Sequence, residues 1–178
     1  VSSLLAVARA IDALNERIGR AVSWLTLFMV LVQFIVVVMR YVFGIGSIFM
    51  QESIVYMHAI VFLAAAGYTL LHDGHVRVDI FYGSAGPRRK AQINILGVLV
   101  FLWPVCILTL NVSERFITSS WAVFEGSPEG SGIPAVFLLK SVIWVFAALL
   151  MLQGFSLVVK SLAILRGDTP EMVEEQGA

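Results

Sequence analysis

The stretch AVSWLTLFMVLVQFIVVVM, residues 21–39, runs for 19 residues without a charge. At about 1.5 Å rise per residue, a helix of that length reaches roughly 28 Å, close to the ~30 Å hydrocarbon core of a bilayer. Three further uncharged runs follow, Ser53 to Leu71, Ala91 to Ser113 and Ser141 to Val159, of 19, 23 and 19 residues. None alternates apolar and polar residues as a barrel strand does, and in lipid the backbone hydrogen bonds of a spanning segment close internally. The expected fold is therefore an all-α integral membrane protein. Its four transmembrane helices fall at about 21–43, 52–72, 91–113 and 134–160, inside one membrane domain over 1–166.

Composition agrees. Of 178 residues, 59% are hydrophobic and 13% charged, and the mean hydropathy is +0.91, more apolar surface than one soluble core hides. Twelve basic and twelve acidic residues cancel, so net charge gives a nucleic-acid partner no electrostatic support. The single cysteine, Cys106, lies in an apolar run, which excludes an intrachain disulfide and a thiolate cluster. The first run is longer than the apolar stretch of a signal peptide and no small-residue cleavage site follows it, so it is expected to be retained as a span.

Basic residues set an orientation. Arg9, Arg17, Arg20, Arg77, Arg88, Arg89, Lys90, Lys160 and Arg166 fall on one side, against Arg40, Arg115 and Lys140 on the other. The positive-inside rule then puts both termini and the middle loop in the cytoplasm. Ahead of the first run, Leu4, Val7, Ile11, Leu14 and Ile18 recur at helical spacing between charged residues. This pattern predicts an amphipathic interfacial helix over 1–19, lying on the membrane surface or packed on a partner. Residues 167–178, GDTPEMVEEQGA, read as a flexible acidic tail. No internal repeat is visible, unlike many complete transporters.

None of the four runs carries a carboxylate or a basic side chain at mid-depth, where a cation carrier needs one. His58 reads as a packing histidine. It shares its helix with His72 and His75, and the other spans have no histidine, so haem held between facing helices is not expected. Gln33, Asn94, Asn111 and Gln153 read as interhelical hydrogen bonders, Ala64 to Gly67 as a small-residue patch for close helix approach, and Pro104 as a kink. No cofactor is predicted.

Polar chemistry concentrates instead in LLHDGHVRVDIFYG, residues 70–83. Two imidazoles and two carboxylates could in principle serve a divalent ion, but no histidine pair has i, i+4 spacing and Arg77 adds positive charge. A helix end explains more of these residues. Gly74 stands where a left-handed cap belongs, His72 lies in the last turn, and Val76, Val78 and Ile80 alternate with Arg77 and Asp79.

HVRVD at 75–79 resembles the H-[IV]-x-V-D signature of the small membrane subunit of TRAP transporters, the tripartite ATP-independent periplasmic family. Other segments are similar in order: MRYVFG at 39–44, QES at 51–53, AAAGY at 64–68, GIPAVFLLK at 132–140, LQG at 152–154 and RG at 166–167. Gln51 departs from the pattern, since many members carry a second acidic residue there. The resemblance covers most of the chain from helix 1 to Arg166. It marks Arg40, Tyr41, Glu52, Gly67, His75, Arg77, Asp79 and Lys140 as structural-motif or interface residues, with no catalytic, substrate or metal site.

The resemblance implies a scaffold for a large twelve-span permease subunit of elevator type. The permease would take up an organic acid with sodium, and a periplasmic substrate-binding protein would deliver it, all in a bacterial inner membrane with lipid as the surround. An alternative class is the membrane-anchor subunit of a respiratory or redox complex. From depth alone, Arg40 and Glu52, flanking the short loop between spans 1 and 2, are expected to pair or else to be held separately by lipid phosphate and a partner.

Overall fold

The computed structural model describes residues 2–75 and 82–167. Its helices are α1 (Ser2–Val42), α2 (Ile48–Ala64), α3 (Ala66–Leu71), α4 (Pro87–Gly97), α5 (Trp103–Ala122) and α6 (Val136–Arg166), with a π-helical turn over Val98–Leu102 joining α4 to α5. No strand occurs among the described residues. Four rods are long and apolar enough to cross a membrane: Ser3–Val42, Ile48–Leu71, Pro87–Ala122 and Val136–Arg166. They run alternately up and down. The end carrying Ser2 and Arg166 is the near end here, and the end carrying the 43–47 and 123–135 loops is the far end.

α6 is the hub, packing on α1, α2, α3, α4 and α5, whereas α4 and α5 pack mainly on α6. The assembly is consequently thin, and long apolar faces such as Trp24, Phe34, Phe62, Phe101 and Val112 stay exposed. In water that would drive aggregation; in lipid it is solvation.

The first residues do not form the separate interfacial helix expected for 1–19. They are the first five turns of one 41-residue helix, about 60 Å long. Leu5, Ala8 and Ile11 are buried, and Leu5 and Ala8 form a core cluster with Val159 and Ala163 of α6. The reason is a heptad register that does not stop at Arg20. Ala8, Asn15, Val22, Met29 and Val36 recur every seven residues and are all buried or half-buried, so one packing seam runs the length of α1.

Local breaks have identifiable causes. Ser47 caps α2, its side chain accepting from the Met50 amide at 3.4 Å. Ala65 interrupts α2 and α3 within the small-residue patch. Pro104 can donate no amide hydrogen bond, and the helix accommodates it with the π-turn immediately before it, where the Trp103 indole donates to the Met151 carbonyl at 3.3 Å. The left-handed residue after α3 is Asp73 (φ 53) and not Gly74, as expected from sequence. The Asp73 amide bonds the Leu70 carbonyl at 3.3 Å and the Gly74 amide bonds Thr69 at 2.8 Å, a Schellman closure in which Gly74 is one residue beyond the strained position. Aspartate tolerates that conformation through its short polar side chain.

Candidate functional site: polar clamps at both ends

At the near end, two neighbouring polar clusters tie α1 to α6 and to the end of α3. Asp12 is the centre of the first. Its Oδ1 accepts from Gln153 Nε2 at 2.9 Å and from Ser156 Oγ at 2.7 Å, while Oδ2 pairs with Lys160 Nζ at 2.6 Å. Gln153, 3% exposed, accepts from Asn15 Nδ2 at 2.7 Å, and Asn15 is fully buried. One turn on, Glu16 receives His72 Nε2 and Arg20 Nε, each at 2.6 Å.

Two glycines make this approach possible. A Cβ on Gly67 would lie 2.3 Å from Asn15 Oδ1, and one on Gly19 would lie 2.2 Å from the Tyr68 ring. Gly67 is thus needed for contact with α1, and its place in the small-residue patch is explained. His75 Nε2 donates to the Ala66 carbonyl at 3.2 Å. Arg77 and Asp79, with the 76–80 alternation, lie outside the described residues, as does the tail beyond Gly167.

At the far end, the 123–135 loop is folded onto Glu52. The Ile133 amide donates to Oε2 at 2.6 Å and the Ser127 hydroxyl donates to Oε1. Backbone bonds from Ser127 to Ile133 and from Gly132 to Glu129 close the loop. Gly132 is pressed against this clip, since a Cβ there would meet Ser127 Oγ at 2.2 Å and Glu52 Oε1 at 2.6 Å. Beside it Lys140 pairs with Glu125 and lies 4.1 Å from the Phe116 ring centre. The Trp121 indole donates to Ser141 Oγ at 2.8 Å and packs edge-on to Phe137.

Of the two arrangements expected for Arg40 and Glu52, the direct pair does not form. The carboxylate is taken up by the loop, while Arg40 is exposed and joins no ion pair among the described residues; Tyr41 beside it is 81% exposed. A double-mutant cycle with Arg40→Gln and Glu52→Gln is accordingly expected to be additive within about 0.5 kcal/mol in stability of the purified chain. Coupling above about 1 kcal/mol would restore the pair.

The Lys140 ammonium beside Glu125 holds its carboxyl below the usual carboxylate range. A carboxyl lowered by folding contributes its full stabilisation above the ordinary value and loses it as pH falls through the lowered one. Melting of the purified protein should therefore drop below about pH 4, and Glu125→Gln should flatten that part of the profile. An unchanged acid limb in the variant would exclude the pair as its cause.

Among the described residues no group of three or more His, Cys, Asp and Glu side chains gathers as metal ligands do. Of the four amides singled out in the spans, Gln153 bridges helices, Asn111 Nδ2 turns back to the Ile107 carbonyl of its own helix at 2.8 Å, and Gln33 is exposed. Sequence reasoning missed Asp12, Asn15, Ser156 and Lys160 as a set. Asn15 did carry a signal, a lone amide on an otherwise apolar seven-residue repeat.

These features define a four-span helical membrane protein whose polar groups tie helices together at its two ends. Residues 29–164 match the family described as tripartite ATP-independent periplasmic transporters, DctQ component. The chain belongs to that family, the small component of TRAP transporters. The match contains the far-end clip and the α6 half of the near-end network, and leaves Asp12, Asn15 and Glu16 outside it. Comparisons with curated proteins and with solved structures returned no match.

Proposed function

We propose that this chain is the scaffold subunit of a TRAP permease. It braces a large elevator-type subunit that takes up an organic acid with sodium, the acid being delivered by a periplasmic binding protein. The carrying observation is where the polar chemistry sits. The ionisable groups of the network and the clip are committed to holding helices and a loop in place at the two ends, which suits a fixed support better than a site that binds and releases cargo. The near end, with its excess of Lys and Arg, is cytoplasmic in this reading, and the far-end loop faces the periplasm. The binding protein would then meet the surface ordered by Glu52.

Reconstitution tests this directly. Vesicles holding the large subunit with the binding protein outside are expected to take up substrate only when this chain is present. Polar substitutions in its spans should change the rate and leave substrate preference unaltered. A span substitution that switches preference, or full uptake without the chain, would overturn the proposal.

A further inference from the structure

Below Gly19, one seven-residue stripe of α1 is covered by the chain itself: Leu5 and Gly19 are buried, and Asp12 is held by α6. The same stripe continues upward as Thr26, Gln33 and Arg40, all exposed. Seven residues turn a helix to within about 20° of two full turns, so the three side chains stand in one line. Counting back from Arg40, Gln33 lies about 10 Å inside the far end.

The α2 helix repeats the pattern. Past Glu52 its exposed positions are Val55, His58 and Phe62, which form one stripe at spacings of three and four, with Gln51 heading it. His58 lies six residues beyond Glu52, about 9 Å in, the same depth as Gln33. Its ring rests near Phe62, centroids 6.2 Å apart.

These polar groups differ from others on the lipid-exposed surface. On α5, Thr109 donates to the Val105 carbonyl, Asn111 to Ile107 and Thr118 to Glu114, each at 2.8 Å, so they are satisfied within their own helix and tolerate lipid. Thr26, Gln33, Arg40 and His58 have no hydrogen-bond or ion-pair partner among the described residues. The opposite arc of α1 is Trp24, Leu31 and Ile35, wholly apolar and exposed. An amide and an imidazole left bare at that depth are unfavourable against hydrocarbon and favourable against a helix that can bond them.

We infer that the stripes Thr26–Gln33–Arg40 and Gln51–Val55–His58–Phe62 are the docking edge for a transmembrane helix of the large subunit, whose hydrogen-bonding side chains meet Gln33 and His58, while Trp24, Leu31 and Ile35 face lipid. The edge continues the seam that α6 already occupies lower on α1. This inference rests on the scaffold role proposed above.

A photo-crosslinking amino acid placed in the assembled complex at 26, 33, 55 or 62 should join this chain to the large subunit, and at 24, 31 or 35 should not. Gln33→Leu should weaken retention of the large subunit in detergent about three- to tenfold and leave the melting of the isolated chain unchanged, because Gln33 bonds nothing within it. Cross-links confined to 24, 31 and 35, cross-links to a second copy of this chain, no cross-links in a complex that still co-purifies, or unaltered retention of the variant would each overturn the docking edge. Failure to co-purify at all would instead refute the scaffold role.

Discussion

Asp12→Leu is expected to lower the stability of the purified protein by about 3 kcal/mol, the scale of loss when one partner of a largely buried ion pair is removed. The substitution strands the Lys160 ammonium and the Gln153 amide, and leaves the Ser156 hydroxyl only the Ala8 carbonyl at 3.3 Å. Asp12 and Lys160 are only 15% and 30% exposed, so water cannot fully replace what is lost. A half-buried charge left without its counter-ion is more damaging than removal of both charges. Lys160→Met on the Asp12→Leu background should therefore recover part of the stability. Unfolding midpoints of the wild type, both single variants and the double variant decide it; strictly additive losses would show that the pair acts as two independent groups.

Glu52→Ala should leave the helices in place and release the far-end loop. The carboxylate is the acceptor for the Ile133 amide and the Ser127 hydroxyl, and bonds to a charged acceptor are stronger than bonds between neutral groups. Hydrogen exchange at the Ile133 amide should accelerate about ten- to hundredfold, with amides in the middle of α6 unchanged. Gly132→Val should reach a similar state by another route, its side chain displacing Ser127 and Glu52. If Ile133 keeps its protection without Glu52, the loop is ordered by its own turns and the clip is secondary.

The spans were legible because lipid leaves a compositional trace: charge is excluded for about twenty residues at a time, and four such runs stand out in the sequence. Arg40 and Glu52 are legible as the ends of runs, but a shared depth does not decide between a direct pair and separate partners. The partners of Glu52 are a serine hydroxyl 75 residues away and a backbone amide 81 residues away; a serine in a loop is not distinctive, and an amide leaves no side-chain signature. The near-end network was hidden for a related reason. Asn15 and Gln153 are 138 residues apart, and an amide on each of two helices does not reveal which pairs with which. The end of the amphipathic segment at Arg20 was inferred from charge, whereas the seven-residue repeat through Asn15, Val22 and Met29 ignores that boundary.

The position of α6 in the chain has a consequence for biogenesis. Helices enter the bilayer in the order in which they are synthesised, and the hub is the last of the four spans. The α1–α2 hairpin can close as soon as it is inserted, since those helices pack on each other. The α4–α5 rod packs mainly on α6, so its main neighbour is the span made after it. When that span arrives, Gln153, Ser156 and Lys160 reach Asp12 and Asn15, and the Ala135–Lys140 segment draws the preceding loop onto Glu52. A ribosome stalled before Val136 would thus leave Asp12 and Asn15 bare, a state that membrane quality control can recognise by its unsatisfied polar groups.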